Sequence, residues 1–129
     1  MESDILVVDD SAAIRKILQR VLRQTGMAIR DIHEAGDGQE ALAFLAVKRV
    51  DLVLTDINMP KMDGLQMLAS LKASPQLHNI PVVMITTEGG ETKVAEAVKL
   101  GAAGYVRKPF TADQIKEKLA AILEPALPL

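Results

Sequence analysis

Cysteine is absent from the 129 residues, which excludes disulfides and thiolate zinc sites. No apolar run approaches the roughly 18 residues of a membrane-crossing helix. A secretory leader is not expected, because Met1-Glu2-Ser3-Asp4 is acidic where a signal peptide is positive, and no cleavage pattern follows. An excess of either charge is missing as well: 15 basic against 17 acidic residues leave a formal net charge of −2. Without a basic excess or a basic amphipathic stretch, neither nucleic acid nor membrane insertion is expected. Linkers and low-complexity segments are lacking, so no second domain is expected. The expected compartment is the cytoplasm.

Apolar residues are plentiful, at 49% of the chain, which favours a globular fold over disorder. The length suits one domain that buries a core without staples. Apolar residues come in two rhythms. Ile5 to Val8, Asp51 to Thr55 and Pro81 to Thr86 are short runs of strand character. Ile29 to Glu34 is a weaker strand, broken by charges, and is expected near a sheet edge. Tyr105-Val106 opens a short fifth strand. Between them, Ile14, Ile17, Leu18, Val21 and Leu22 fall on one helix face, with Ser11 as cap and Thr25-Gly26 as stop. Further helices are expected from Gly38 to about Val47, around Leu65, Met67, Leu68 and Leu71, and from Thr92 to Leu100, with Gly101 and Gly104 bracketing the exit of the last of these. Thr111-x-x-Gln114 is a capping box that opens a fifth helix carrying Ile115, Leu119, Ile122 and Leu123. Five strand–helix units predict an α/β fold: a doubly wound parallel sheet with helices on both faces, in three layers. Continuous apolar strands agree, since both sheet faces are covered.

In such a sheet, functional residues collect at the carboxyl ends of the strands. Asp9-Asp10 ends the first strand and Asp56 the third. If these strands are neighbours, about 4.8 Å apart, three carboxylates meet and repel one another unless a cation is present. All-oxygen ligands suit Mg²⁺, Mn²⁺ or Ca²⁺ rather than zinc or copper. Thr86 ends the fourth strand and Lys108 follows the fifth. Taken singly, each of these is as readily a cap or a solvated loop residue. Jointly they supply what phosphoryl transfer needs, a carboxylate nucleophile with charge-stabilising groups around it.

These residues carry a resemblance. Val7-Val8-Asp9-Asp10-Ser11, Thr55-Asp56-Ile57-Asn58-Met59-Pro60, Met62-Asp63-Gly64, Thr86 and Gly104-Tyr105-Val106-Arg107-Lys108-Pro109-Phe110 resemble, in order and spacing, the receiver domain of bacterial response regulators, and most closely its single-domain chemotaxis members. The resemblance implies a flavodoxin-like (βα)5 sheet in the order 2-1-3-4-5, over residues 1–124 with 125–129 as a short tail. It implies that a histidine kinase phosphorylates Asp56, and that Asp10, Asp56 and the backbone carbonyl of Asn58 bind Mg²⁺, with Asp9 close by or acting through water. It implies switch roles for Thr86 and Tyr105, tuning of dephosphorylation by Asn58 and Glu88, and a cis bond between Lys108 and Pro109. The effector would be a protein that binds through the fourth helix, fifth strand and fifth helix, such as a flagellar motor switch. Such a chain is a monomeric phosphoacceptor and not a turnover enzyme. Gly89-Gly90-Glu91 after Glu88 lacks an adjacent lysine pair, a departure that bears on the motor-switch target.

Rival readings are weaker. Gly36-Asp37-Gly38-Gln39-Glu40-Ala41 fits a dinucleotide-binding pattern, but Asp37 puts a carboxylate where a pyrophosphate would sit, and the loop follows the second strand instead of the first. His33 and His78 lack metal-ligand spacing and read as surface or loop residues. A metal-dependent phosphohydrolase with an Asp nucleophile has no room for a cap domain, and Asn58 stands where its acid–base Asp would be. A phosphorelay receiver, or one excised from a larger regulator, is the nearer alternative; the initial Met and the end soon after the fifth helix favour an independent product.

Overall fold

The strands form where β-branched residues cluster, and the helices where apolar residues recur every three or four positions. A computed structural model describes residues 2–87 and 91–123. The expectations for Glu88 and for the tail at 125–129 lie outside the described residues. The elements are β1 (Ser3–Val8), α1 (Ala12–Gln24), β2 (Ile29–Ala35), α2 (Gly38–Leu45), β3 (Leu52–Asp56), α3 (Gly64–Ala73), β4 (Val82–Thr86), α4 (Glu91–Leu100), β5 (Gly104–Arg107) and α5 (Ala112–Leu123). The sheet is wholly parallel and runs β2-β1-β3-β4-β5, as expected.

Alternation along the strands divides the core in two. Leu6, Val8, Val53 and Met84 point to the face covered by α2, α3 and α4, where Leu45, Met67, Leu68 and Leu71 meet them. Ile5, Val7, Leu54 and Ile85 point to the opposite face, against Leu18 and Leu22 of α1 and Ile115 and Leu119 of α5. Each fully buried side chain of this size stabilises the fold by roughly 1.5–3 kcal/mol. β2 is an edge strand, with Arg30, Asp31 and Glu34 exposed.

Caps fix the helix starts. Ser11 Oγ accepts from Ile14 N at 3.2 Å, and Thr111 and Gln114 exchange the two bonds of a capping box. Asp37 Oδ1 accepts from Glu40 N at 2.9 Å. The dinucleotide-like loop is thus a capped helix start, its carboxylate already occupying the N-terminus of α2.

Three expectations need correction. Ile17 is 44% exposed, because the buried stripe of α1 narrows to Leu18 and Leu22, with Ile14 and Val21 at its margins. Val47 lies beyond α2, which stops at Leu45, and is 86% exposed. His33 is not a surface or loop residue: it sits within β2 opposite Leu6, its ring 4.9 Å from that of Phe44. His78 is exposed, as expected.

Candidate functional site

Because all five strands run one way, their carboxyl ends share one edge of the sheet. Val8 pairs with Thr55, Asp56 with Ile85 and Thr86 with Arg107. Asp9, Asp10, Asp56, Thr86 and Lys108 therefore stand in a row at that edge. Asp9, Asp10 and Asp56 each offer a carboxylate oxygen, and these three lie within 4.8 Å of one another. Lys108 Nζ is 3.9 Å from Asp9 Oδ2 and 3.9 Å from Asp56 Oδ1. That is close enough for attraction but too long for a hydrogen bond. The peptide bond between Lys108 and Pro109 is cis.

The acids are partly held by backbone. Asp9 Oδ1 accepts from Ser11 N and Asp56 Oδ1 from Ile57 N, each at 2.9 Å. Asp9 Oδ2 is buried and has no hydrogen-bond partner among the described residues. Burial is the main cause pushing both the Asp9 and the Asp56 carboxyl above the usual carboxylate range; Asp10 and, for Asp56, Asp9 add to it, while Lys108 opposes it. One lysine does not offset three clustered acids, so the site as folded is short of positive charge.

That deficit tests the fit of a cation. The donor set is all oxygen, which suits Mg²⁺ or Mn²⁺, and Asp9 Oδ2 is a buried acceptor still wanting a partner. The residues fit. A second group, Asp4, Asp31 and His33, is equally close-set but differs in charge. Both oxygens of Asp4 accept from the Arg30 guanidinium, and that bond holds the Asp4 carboxyl below its usual range.

Backbone packing brings α3 to the site. A Cβ on Gly64 would stand 2.5 Å from the Asp56 carbonyl oxygen, so only glycine lets α3 start against the backbone that carries Asp56. Gly64 N donates to Ile57 O at 2.7 Å. Thr86 is buried, and its hydroxyl donates to Thr87 O at 3.2 Å. Tyr105 points outward at 37% exposure, with Lys118 Nζ 5.8 Å from its ring centre. The two lie on neighbouring strands as diagonal neighbours on one face of the sheet: Thr86 pairs with Arg107, Tyr105 with Met84. An open groove of about 460 Å³ runs between β5 and α5, lined by Tyr105, Arg107, Gln114, Glu117 and Lys118.

Two contacts at the site were not predicted. Arg15 Nη1 donates to the Asp9 carbonyl at 2.6 Å while its Nε donates to Glu34 at 2.9 Å. Lys93 of α4 donates to Asn58 Oδ1. Arg15 sits one turn past the Ser11 cap, where helical periodicity alone reads a solvated charge; Lys93 and Asn58 are 35 residues apart, and no local signal joins them.

The family described as response regulator receiver domain matches residues 5–120. The chain belongs to the response regulator receiver domain family. Among curated receivers it is 42% identical over 120 residues to chemotaxis protein CheY-3 of Vibrio cholerae, covering 93% of this chain and 91% of that one. It is 41% identical to chemotaxis protein CheY of Pseudomonas aeruginosa, covering 93% and 95%. Among solved structures, CheY4 of Vibrio cholerae superposes with a TM-score of 0.84 at 32% identity, over 95% of this chain and all of that one. The receiver domain of NtrX from Brucella abortus gives 0.84 at 34% identity, over 95% of this chain and 100% of that one. Receiver domains are signalling phosphoacceptors that generally bind Mg²⁺ at an acidic pocket, and this receiver carries such a pocket. No helix among the described residues is long and apolar enough to cross a membrane.

Proposed function

We propose that this receiver accepts a phosphoryl group from a histidine kinase onto Asp56 and passes the change to an effector protein in chemotaxis or flagellar control. The observation that carries the site assignment is Lys108 Nζ at 3.9 Å from both Asp9 and Asp56, beside a carboxylate cluster with an unpartnered oxygen. An Asp56 carboxylate oxygen attacks phosphorus. The bond from phosphorus to the donor imidazole nitrogen breaks as the new P–O bond forms, and the imidazole leaves with the electron pair, protonated from solvent. Lys108 attracts the phosphoryl oxygens as a point charge, and the Thr86 hydroxyl donates to one of them. Asp9, Asp10, Asp56 and the Asn58 backbone carbonyl would hold Mg²⁺. When bound, that ion supplies Lewis-acid neutralisation of phosphoryl charge. The added charge at the strand end biases Thr86 and Tyr105, and through them the α4-β5-α5 face.

Intact-mass spectrometry after incubation with acetyl phosphate and Mg²⁺ tests the chemistry. One phosphoryl group is expected on the unmutated chain and none on Asp56→Asn; equal labelling of both overturns the assignment. Capture of partners with and without beryllofluoride tests the pathway. A flagellar switch component retained only with beryllofluoride supports the chemotaxis reading, which the relatives named CheY favour. A phosphorelay partner would favour the second reading.

A further inference from the structure

We propose that Lys93 is a positioning residue that lengthens the life of the phosphoryl group by occupying the side-chain oxygen of Asn58. This inference rests on the reading of Asp56 as phosphoacceptor. Asn58 lies two residues after Asp56, on the exposed loop between β3 and α3. Lys93 reaches it from α4, across the mouth of the same strand edge. An ammonium only donates, so its partner is the amide oxygen. Holding Oδ1 fixes the amide, and Nδ2, a donor, is the group left for anything else near Asp56.

The consequence follows from the hydrolysis step. A water oxygen attacks phosphorus in line, the bond from phosphorus to the Asp56 oxygen breaks, and the electron pair returns to the carboxylate. The attacking water must shed a proton, which passes to solvent or to a phosphoryl oxygen. An attacking water is oriented by an acceptor for its hydrogens. Asn58 Oδ1 is a neutral acceptor two residues from the nucleophile, and Lys93 engages it. Asp9 and Asp10 are acceptors too, but as expected cation ligands their lone pairs are committed elsewhere. Lys93 therefore takes one of the two lone pairs of Oδ1, fixes the amide and weakens it as an acceptor for the attacking water, and its removal returns Asn58 Oδ1 in full to the reaction.

The test follows loss of label after acetyl phosphate is removed, normalised to the label at time zero. Lys93→Met is expected to accelerate decay by about 2- to 10-fold, the range one hydrogen bond allows. Lys93→Arg, which keeps the charge and the donors, is expected to restore most of the lifetime. In an Asn58→Ala background, Lys93→Met is expected to change nothing, since the route is gone. The contact is exposed, so high salt weakens it and narrows the gap between the unmutated chain and Lys93→Met; a merely structural role for Lys93 would not move with salt in this way. Decay in Lys93→Met at or below the unmutated rate overturns the inference. Acceleration that persists without Asn58 overturns the route through it. If the unmutated chain takes no label, the phosphoacceptor reading falls and this inference with it; normal labelling with unaltered decay sinks this inference alone.

Discussion

Asp4 and Asp9 stand near opposite ends of β1, both buried, and their surroundings push them in opposite directions. Asp4 accepts from two nitrogens of Arg30. Its carboxylate is hidden at the rim of the fold, partly by that guanidinium, and is held below its usual pKa first by the hydrogen bond to Arg30. Asp9 is raised, first by burial, and keeps an oxygen with no hydrogen-bond partner among the described residues. An arginine is near Asp9 too, but it is turned to other work. Arg15 gives its Nε to Glu34 and its Nη1 to the Asp9 backbone carbonyl. At one end of the strand the chain neutralises its own acid; at the other it leaves the charge for something that binds. Proximity of acids does not separate the two groups, since both are close-set. The missing counter-charge does.

The largest effect expected from this contrast is on metal affinity. Asp10→Ala should weaken Mg²⁺ binding by about tenfold or more, because a direct ligand is lost, whereas Arg30→Ala should leave it unchanged. Titration calorimetry on both variants decides. Equal loss would show that the two ends are not independent, and no loss in Asp10→Ala would remove that residue from the ligand set.

Stability should differ in sign. For Asp4, whose folded pKa lies below the ordinary 3.8, the unfolded chain binds more protons in the window beneath that value. Its contribution is therefore full above it and is lost as pH falls through the folded value. For Asp9 and Asp56, whose folded pKa lies above 3.8, the folded chain binds more protons. Their charged forms penalise the metal-free fold at neutral pH, and that penalty is relieved as pH falls through the raised values toward 3.8. In EDTA at neutral pH, Asp9→Asn should raise the Tm by a few degrees, on the order of 1 kcal/mol, and Asp4→Asn should lower it. Thermal melts from about pH 7 to pH 3 check the signs. A drop in both variants at neutral pH would mean that hydrogen bonding, not charge, governs Asp9.

Much of this contrast was visible in the sequence, though unequally. Asp9, Asp10, Asp56, Thr86 and Lys108 were legible because a parallel sheet brings all strand ends to one edge, so position in the chain fixes position in space. The two-sided core was legible for the same reason, since β1, β3 and β4 each carry an unbroken apolar run, Ile5 to Val8, Leu52 to Leu54 and Val82 to Ile85. The neutralised end was not. Arg30 and Asp4 are 26 residues apart and meet only through the pairing of β1 with β2, whose register shifts between Ser3 and Ile5. His33 was misread because its cover comes from Phe44 on the following helix, which strand composition does not reveal. Arg15 and Lys93 were missed because a long flexible cation reads the same whether it is solvated or holding a neighbour.

The smallest effect expected belongs to Arg15, and its sign carries the information. If the guanidinium acted at the site as a charge, it would compete with a bound cation, and removing it would tighten Mg²⁺ binding. Its charge is instead matched by Glu34 at 2.9 Å, and it makes its contact at the site to a backbone carbonyl, the oxygen of Asp9. That contact anchors the main chain from which both Asp9 and Asp10 project, with Asp9 N bonded in turn to Ala35 O at 3.1 Å. A ligand pair on a loosened main chain loses orientation, so Arg15→Gln should weaken Mg²⁺ affinity, by up to about tenfold, the lower end for groups that orient metal ligands. Glu34→Gln provides the control: it leaves the bond to Asp9 in place but uncovers the charge, and so should weaken affinity through electrostatics that fade as salt rises. The Arg15→Gln loss should persist at high salt. Tighter binding in Arg15→Gln would mean that the arginine at this end of β1 acts on the acids as Arg30 does at the other, and the contrast between the two ends would then be one of distance alone.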